Sequence, residues 1–378
     1  MCKLNSSMND EKVIVYSVWI TMFDDAFNPS IRTVGEAPPQ EQNMLNKAMN
    51  VLSFAVAYSA LVITSEAVFG QDGGAQGELS DKPNTELILT DHPLVDTVWD
   101  LRTGKQISQD AFWKLAVTQD HLLVGEKHDN PRHHELQVEA VQQMGVAGRK
   151  PLIVMEMIDP KHQQWLKELK PEDVSGLSDK LEWEKRGWPA WSMYEPIFKE
   201  AAFYGMTIAP GAPERELLIK VGKGGVPPED VSRDLMWNQK FSKEQRESLL
   251  DELERSHCGV VPRKSLEPLV DMQRLKDASM GLPMRSAMKT GQGSILIAGT
   301  GHTRKDRGVP WWLDSNDSRL SLAAVEVSTD NFQLSDYSLA DVNRFDYVWF
   351  TGRVETIDPC EKYAEQLKKM GKKHTHKE

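Results

Sequence analysis

The chain is poor in cysteine, with 3 in 378 residues, and Cys2 lies far from Cys258 and Cys360. That scarcity excludes a small scaffold stapled by many disulfides, so a hydrophobic core must carry the fold. No uninterrupted apolar run reaches the ~18 residues that a membrane-spanning helix needs. Basic residues are the minority, 45 Lys and Arg against 56 Asp and Glu, and a formal net charge of −11 argues against nucleic acid as a partner. Repeats are absent as well. What remains, 40% hydrophobic and 27% charged residues, describes a globular chain long enough for one large domain or two smaller ones.

The N-terminal region reads in parts. Residues 44–70 have the form of a secretory signal: Met44, Lys47, an apolar run from Val51 to Ile63, then small residues with cleavage after Ala67 or Gly70. Residues 1–43 make no sense as part of it, and a start at Met44 or Met49 is expected. Residues 71–90 are rich in Gly, Asp and Gln and read as a leader. Export to the periplasm follows. No Cys closely follows the apolar run, so lipid anchorage to a membrane is not supported. In an oxidising compartment Cys258 and Cys360 can bridge. Two buried free thiols are the alternative.

From Pro93 the pattern is α/β. Apolar runs predict strands near 121–125, 151–156, 205–210, 294–299, 320–327 and 346–350. A helix opens at His133 after Asn130-Pro131, with Val138, Val141 and Met144 on its inner face. Residues 160–169 and 195–204 read as further helices. A mostly helical block covers 228–290, broken at Gly259 to Pro262 and near Gly281-Leu282-Pro283. The expectation is an α/β fold: a mainly parallel sheet with helices on both faces, and a helical insertion forming a lid or subdomain. The main domain is placed at 91–365, and 366–378 is a Lys/His-rich tail.

Two strands end in clusters of polar, ligand-type residues. One is Leu122-Leu123-Val124-Gly125-Glu126-Lys127-His128-Asp129; the other is Ser294-Ile295-Leu296-Ile297-Ala298-Gly299-Thr300-Gly301-His302. Ligands in open α/β sheets sit beyond the carboxyl ends of strands. Residues two apart in an extended segment point the same way, so Glu126 and His128 can converge. Gly125 and Gly301 permit a close approach that a Cβ would forbid. Glu126, His128, Glu156 and His302 are expected to line one pocket.

The segment Gly125-Glu126-Lys127-His128-Asp129-Asn130-Pro131-Arg132-His133-His134 resembles the opening motif of the ChaN family, in the haem-binding uptake and Tiki superfamily. Further stretches follow in the family's order. They are Val154-Met155-Glu156-Met157, Trp191-Ser192-Met193-Tyr194-Glu195-Pro196, Ser256-His257-Cys258-Gly259, Met272 to Met280, Gly299 to Pro310, and Asp346-Tyr347-Val348-Trp349 with Asp358-Pro359-Cys360-Glu361. The resemblance covers roughly residues 90–365. This chain departs from the family's usual lipid anchor, and it has Ser279-Met280-Gly281 where Met followed by Ala is expected.

The resemblance implies an exported haem-binding protein of haem or iron acquisition. Its partners would be haem, a haem transport system or outer-membrane receptor, and a second copy in a homodimer. Trp188, Trp191, Tyr194 and Phe198 would supply an aromatic wall, with Tyr194 as axial ligand. His133 and His134 are the alternatives, only one of them facing inward. Arg304, Lys305 and Arg307 would meet haem propionates or a substrate carboxylate. The wider superfamily implies a second class, a metal-dependent peptidase or esterase. There Glu126, His128, Glu156 and His302 would be catalytic, and Glu126, His128, His257 and His302 would hold Zn or Mn.

Overall fold

The computed structural model describes residues 86–365, all within one compact unit. The expected signal segment, the extension before it, residues 71–85 and the tail lie outside the described residues. Eight strands form one sheet: β1 (Val98–Asp100), β2 (Lys105–Ile107), β3 (His121–Glu126), β4 (Leu152–Met155), β5 (Ile208–Pro210), β6 (Ser294–Gly299), β7 (Arg319–Glu326) and β8 (Tyr347–Thr351). Their spatial order is β2-β1-β8-β7-β3-β6-β4-β5. From β8 to β5 every pairing is parallel, and β1 runs antiparallel to both β8 and β2. The sheet is thus mainly parallel, as the alternation of strands and helices predicts. Every strand read from an apolar run is present.

Central strands of such a sheet are covered on both faces and need apolar side chains at every position. β3 is buried along its whole length. Leu122 and Val124 pack on one face with Ile153, Ile295 and Ile297, beneath α1 (Gln109–Ala116), α2 (Pro131–Val146) and α3 (Trp191–Tyr204). Leu123, Val154, Leu296 and Ala298 pack on the other face with Met280 and Met284. Those two methionines belong to a long helix described below.

α2 begins at Pro131, two residues before the start expected at His133. The Asn130 side chain accepts from the Arg132 N–H, and Pro131 fills the first turn, where its missing N–H costs nothing. Leu136, Ala140, Val141 and Met144 are buried, whereas Val138 is only partly so. Pro160–Trp165 is a 3-10 helix.

Between β5 and β6 come α4 (Arg215–Gly222), α5 (Glu229–Asp234), α6 (Lys243–Ser256) and α7 (Arg263–Met288). The break at Gly259 to Pro262 separates α6 from α7. The break expected at Gly281-Leu282-Pro283 does not exist, because α7 runs through both Pro268 and Pro283. Burial of Met280 and Met284 holds the helix on the sheet across that point. Gly281 is needed there for contact, since a Cβ would stand 3.0 Å from the Trp312 Cβ.

Cys258 and Cys360 form a disulfide with Cα atoms 5.7 Å apart. It joins the turn after α6 to α8 (Pro359–Lys362) near the C-terminus.

Candidate functional site

Glu126 closes β3, Glu156 follows β4, and His302 lies in the turn after β6. β3, β6 and β4 are neighbours in the sheet, and Glu126 stands in register with Gly299. Two motifs about 175 residues apart in sequence therefore meet at one carboxyl edge, where α/β sheets hold ligands. Close approach requires Gly125: a Cβ there would stand 2.4 Å from Thr303 Oγ1 and 3.0 Å from the Thr300 Cα.

Two buried carboxylates organise the site. Glu126 Oε1 accepts from His128 Nδ1 at 2.7 Å and from the Tyr194 hydroxyl at 3.1 Å. Its Oε2 accepts from Gln137 Nε2 at 2.9 Å and faces His134 Nδ1 at 2.8 Å. The other nitrogen of His134 donates to the His128 carbonyl at 2.8 Å. Both ring nitrogens of His134 thus face acceptors, and the ring is a cation. Burial opposes its charge, but Glu126 wins and raises it above the ordinary histidine value. Burial likewise opposes ionisation of Glu126, and His134 and His128 outweigh it, holding the carboxyl far below the ordinary carboxylate range.

Glu156 is the second centre. Oε1 accepts from Lys276 Nζ at 3.0 Å and faces His302 Nε2 at 3.3 Å, while Oε2 accepts from the Gly299 N–H at 3.0 Å. His302 Nδ1 meets Asp277 Oδ1 at 2.6 Å. Despite burial, Glu156 and Asp277 together push His302 up to about 9. Burial keeps the Lys276 ammonium below its usual value and lifts Asp277 above its own.

His128 links the two centres. Its Nδ1 lies 2.7 Å from Glu126 Oε1, and its Nε2 faces the second centre. That nitrogen lies 4.0 Å from Glu156 Oε2 and 3.2 Å from where a Cβ on Gly299 would stand. His128, Glu156, Lys276, Asp277 and His302 line a cavity of about 210 Å³. α6 and its C-terminal turn form the opposite wall, through Leu249, Glu252, Leu253 and His257. Leu269, Met272 and Arg307 complete it.

The donors do not suit a divalent ion. Lys276 already places an ammonium on Glu156, and His302 is held as a cation between two carboxylates. Among the described residues no group of three or more His, Cys, Asp or Glu has metal-holding geometry. The set expected for Zn or Mn, Glu126, His128, His257 and His302, is divided among hydrogen-bond partners.

The model of the family described as haem-binding uptake, Tiki superfamily, ChaN matches residues 112–313, more than half of the chain. The chain belongs to the ChaN family. Comparison with curated proteins gives no match. Among solved structures, ChaN of Campylobacter jejuni, with cofacially bound haem, is similar at 22% identity and a TM-score of 0.54. That match covers 67% of this chain and 95% of the other. The likeness is one of fold. An open conformation of the erythromycin esterase EreC gives 10% identity and a TM-score of 0.39 over 70% of this chain and 98% of that one. The type III effector HopBA1 gives 12% and 0.36 over 65% and 93%.

Several residues that the ChaN resemblance nominates are placed otherwise. Tyr194 is not among the residues that line the cavity: its ring is fully buried against His134 and Trp183, and its hydroxyl donates to Glu126. His133 and His134 both face inward, at 1% exposure each. They can do so because the start of α2 is covered on two sides. His133 accepts from the Lys127 N–H at 2.8 Å and meets Thr351 of β8 at 2.9 Å, while His134 lies under Tyr194 of α3. Burial pushes His133 down to about 3, so it is neutral. Trp191 packs edge-on to Trp183 and tilted on Phe198. Arg304 is buried and engaged by Asp306 and Glu252, and Lys305 pairs with Asp346.

Lys276, Asp277 and Gln137 were not singled out from sequence. A signal existed for the first two. They sit among the buried positions Met272, Leu275, Ala278 and Met280 of α7, and charges on an inner helix face need partners.

Proposed function

We propose that this protein binds haem and serves haem or iron acquisition as an exported protein. Membership of the ChaN family carries the reading. The donor chemistry supports it, because imidazole is a common ligand of haem iron and His128 and His257 both line the cavity. His128 keeps 16% of its side chain exposed and meets the Trp188 ring edge-on at 5.2 Å. With Tyr194 buried, His128 becomes the leading axial-ligand candidate. Leu249, Leu253, Leu269 and Met272 offer the apolar surface a porphyrin needs.

A cavity of about 210 Å³ is smaller than the ~300–1,000 Å³ of pockets that enclose a ligand of drug size. The cavity by itself would not enclose a porphyrin, so His128, His257 and the apolar side chains beside them would hold only part of it. The Campylobacter jejuni protein binds haem cofacially. A haem transport system or receptor, and a homodimer, belong to the same reading.

Titration of the full chain with haemin, followed in the Soret region, tests it. Saturable uptake is expected, and His128→Ala should weaken it about tenfold or more and move the Soret band. A wild-type protein that takes up no haem would reject the reading.

One observation favours a second reading. Glu126 holds one nitrogen of the His128 imidazole at 2.7 Å, and His128 lines the cavity, the arrangement of a general base and its orienting carboxylate. Under that reading the protein hydrolyses an ester by activating water, without a metal. Turnover of a simple ester that His128→Ala abolishes would support it.

A further inference from the structure

Arg304 and Arg307 lie three residues apart on the turn after β6, and both are buried. Arg304 is fully engaged: Nε and one terminal nitrogen go to Asp306 at 2.9 and 2.5 Å, and another goes to Glu252 at 3.0 Å. Arg307 is not. It donates from one terminal nitrogen to Glu252, the carboxylate it shares with Arg304. Its Nε is buried with no hydrogen-bond acceptor among the described residues. Its side chain is only 4% exposed, yet it lines the cavity. One donor of this buried guanidinium is thus left without the acceptor it is built to meet. Burial also lowers Arg307 below the usual arginine value, and Glu252 and Asp306 do not restore it.

Leu249, Leu253, Leu269 and Met272 make part of the lining apolar, and the carboxylates that share it are already matched, Glu156 by Lys276, Asp277 by His302 and Glu252 by Arg304. The cavity thus pairs an under-satisfied cation with a hydrophobic surface. That combination fits an apolar molecule ending in a carboxylate.

We propose that Arg307 anchors a ligand carboxylate in this cavity, and, resting on the haem reading above, that the carboxylate is a haem propionate. Lys305 and Arg304, which the sequence ranks equally with Arg307, are not among the residues that line the cavity. A free amphipathic acid would offer the same chemistry from a different source.

The experiment compares haemin with haemin dimethyl ester, in which both propionates are masked, on the full chain. The wild type should bind haemin about tenfold or more tightly than the ester, because a charge-assisted bidentate contact is lost on esterification. Arg307→Gln should erase that preference while still binding the ester, and Arg307→Lys should keep part of it. Equal wild-type affinity for the two compounds overturns the anchor and leaves haem binding intact. If the wild type binds neither, the haem reading fails, and octanoate becomes the deciding probe. A rise in the wild-type melting temperature with octanoate, missing in Arg307→Gln, keeps the anchor with a free acid as its ligand. No rise overturns it. The wild-type comparison stands even if the variants fold poorly.

Discussion

Single side chains hold this site rigid through charge. Glu126 accepts from His128, Gln137 and Tyr194 and faces the His134 cation, all away from solvent. Removing one neutral donor is milder than removing the carboxylate. Tyr194→Phe should cost about 1.5–3 kcal/mol, the worth of a hydrogen bond to a charged group. It should leave the haem spectrum unchanged, since the phenol faces Glu126; a changed Soret band would return Tyr194 to the ligand list. Glu126→Gln strands the His134 cation and should cost about 3–5 kcal/mol by urea unfolding. The pH dependence has a definite sign. His302 is raised from 6.5 to about 9 in the folded protein, so the native state binds the extra proton. Stability from this group is complete below pH 6.5 and is lost as pH rises toward 9. His302→Gln should flatten the stability profile in that window.

At the level of elements, the site depends on β3 and β6 lying side by side with their turns in contact. Gly125→Ala tests that contact. The added Cβ would meet the Thr300 Cα and the Leu322 carbonyl, at 3.0 and 3.2 Å, as well as Thr303 Oγ1. Backbone atoms cannot swing aside, so the cost should be about 1–3 kcal/mol, with a matching loss of haem affinity as the His302 turn is displaced. The central strands were legible because doubly covered strands need continuous apolar runs. β1 and β2 were not, since three residues each are too few to establish a period of two. α7 was misread at Pro283 because local rules end a helix there, whereas packing of Met280 and Met284 on the sheet overrides them.

For the whole molecule, the Cys258–Cys360 disulfide closes a loop with a sequence separation of 102. In the chain-entropy account a loop of that size contributes about 4–5 kcal/mol. Cys360→Ser should lower the urea midpoint by the corresponding amount, and reduction of the wild type should reproduce the change. Equal stability of oxidised and reduced protein would contradict this. Cys258 directly follows His257 on the cavity wall, so the same variant should loosen ligand binding as well.

The sequence by itself determined the mainly parallel α/β sheet, the polar clusters at its strand ends, and the family, because apolar runs and short polar motifs are local patterns. Of the four residues expected to line one pocket, His128, Glu156 and His302 line the cavity, and Glu126 is joined to it through His128. Only the tertiary structure decided which polar groups were already satisfied. Tyr194, His133, His134 and Arg304 look in sequence like ligands, but each is buried against a partner distant in the chain. Lys276 and Asp277 were given no role from sequence and are counter-charges of Glu156 and His302. Whether a polar side chain is free to meet a ligand depends on what folds against it. That is fixed by long-range packing and is invisible to any local pattern.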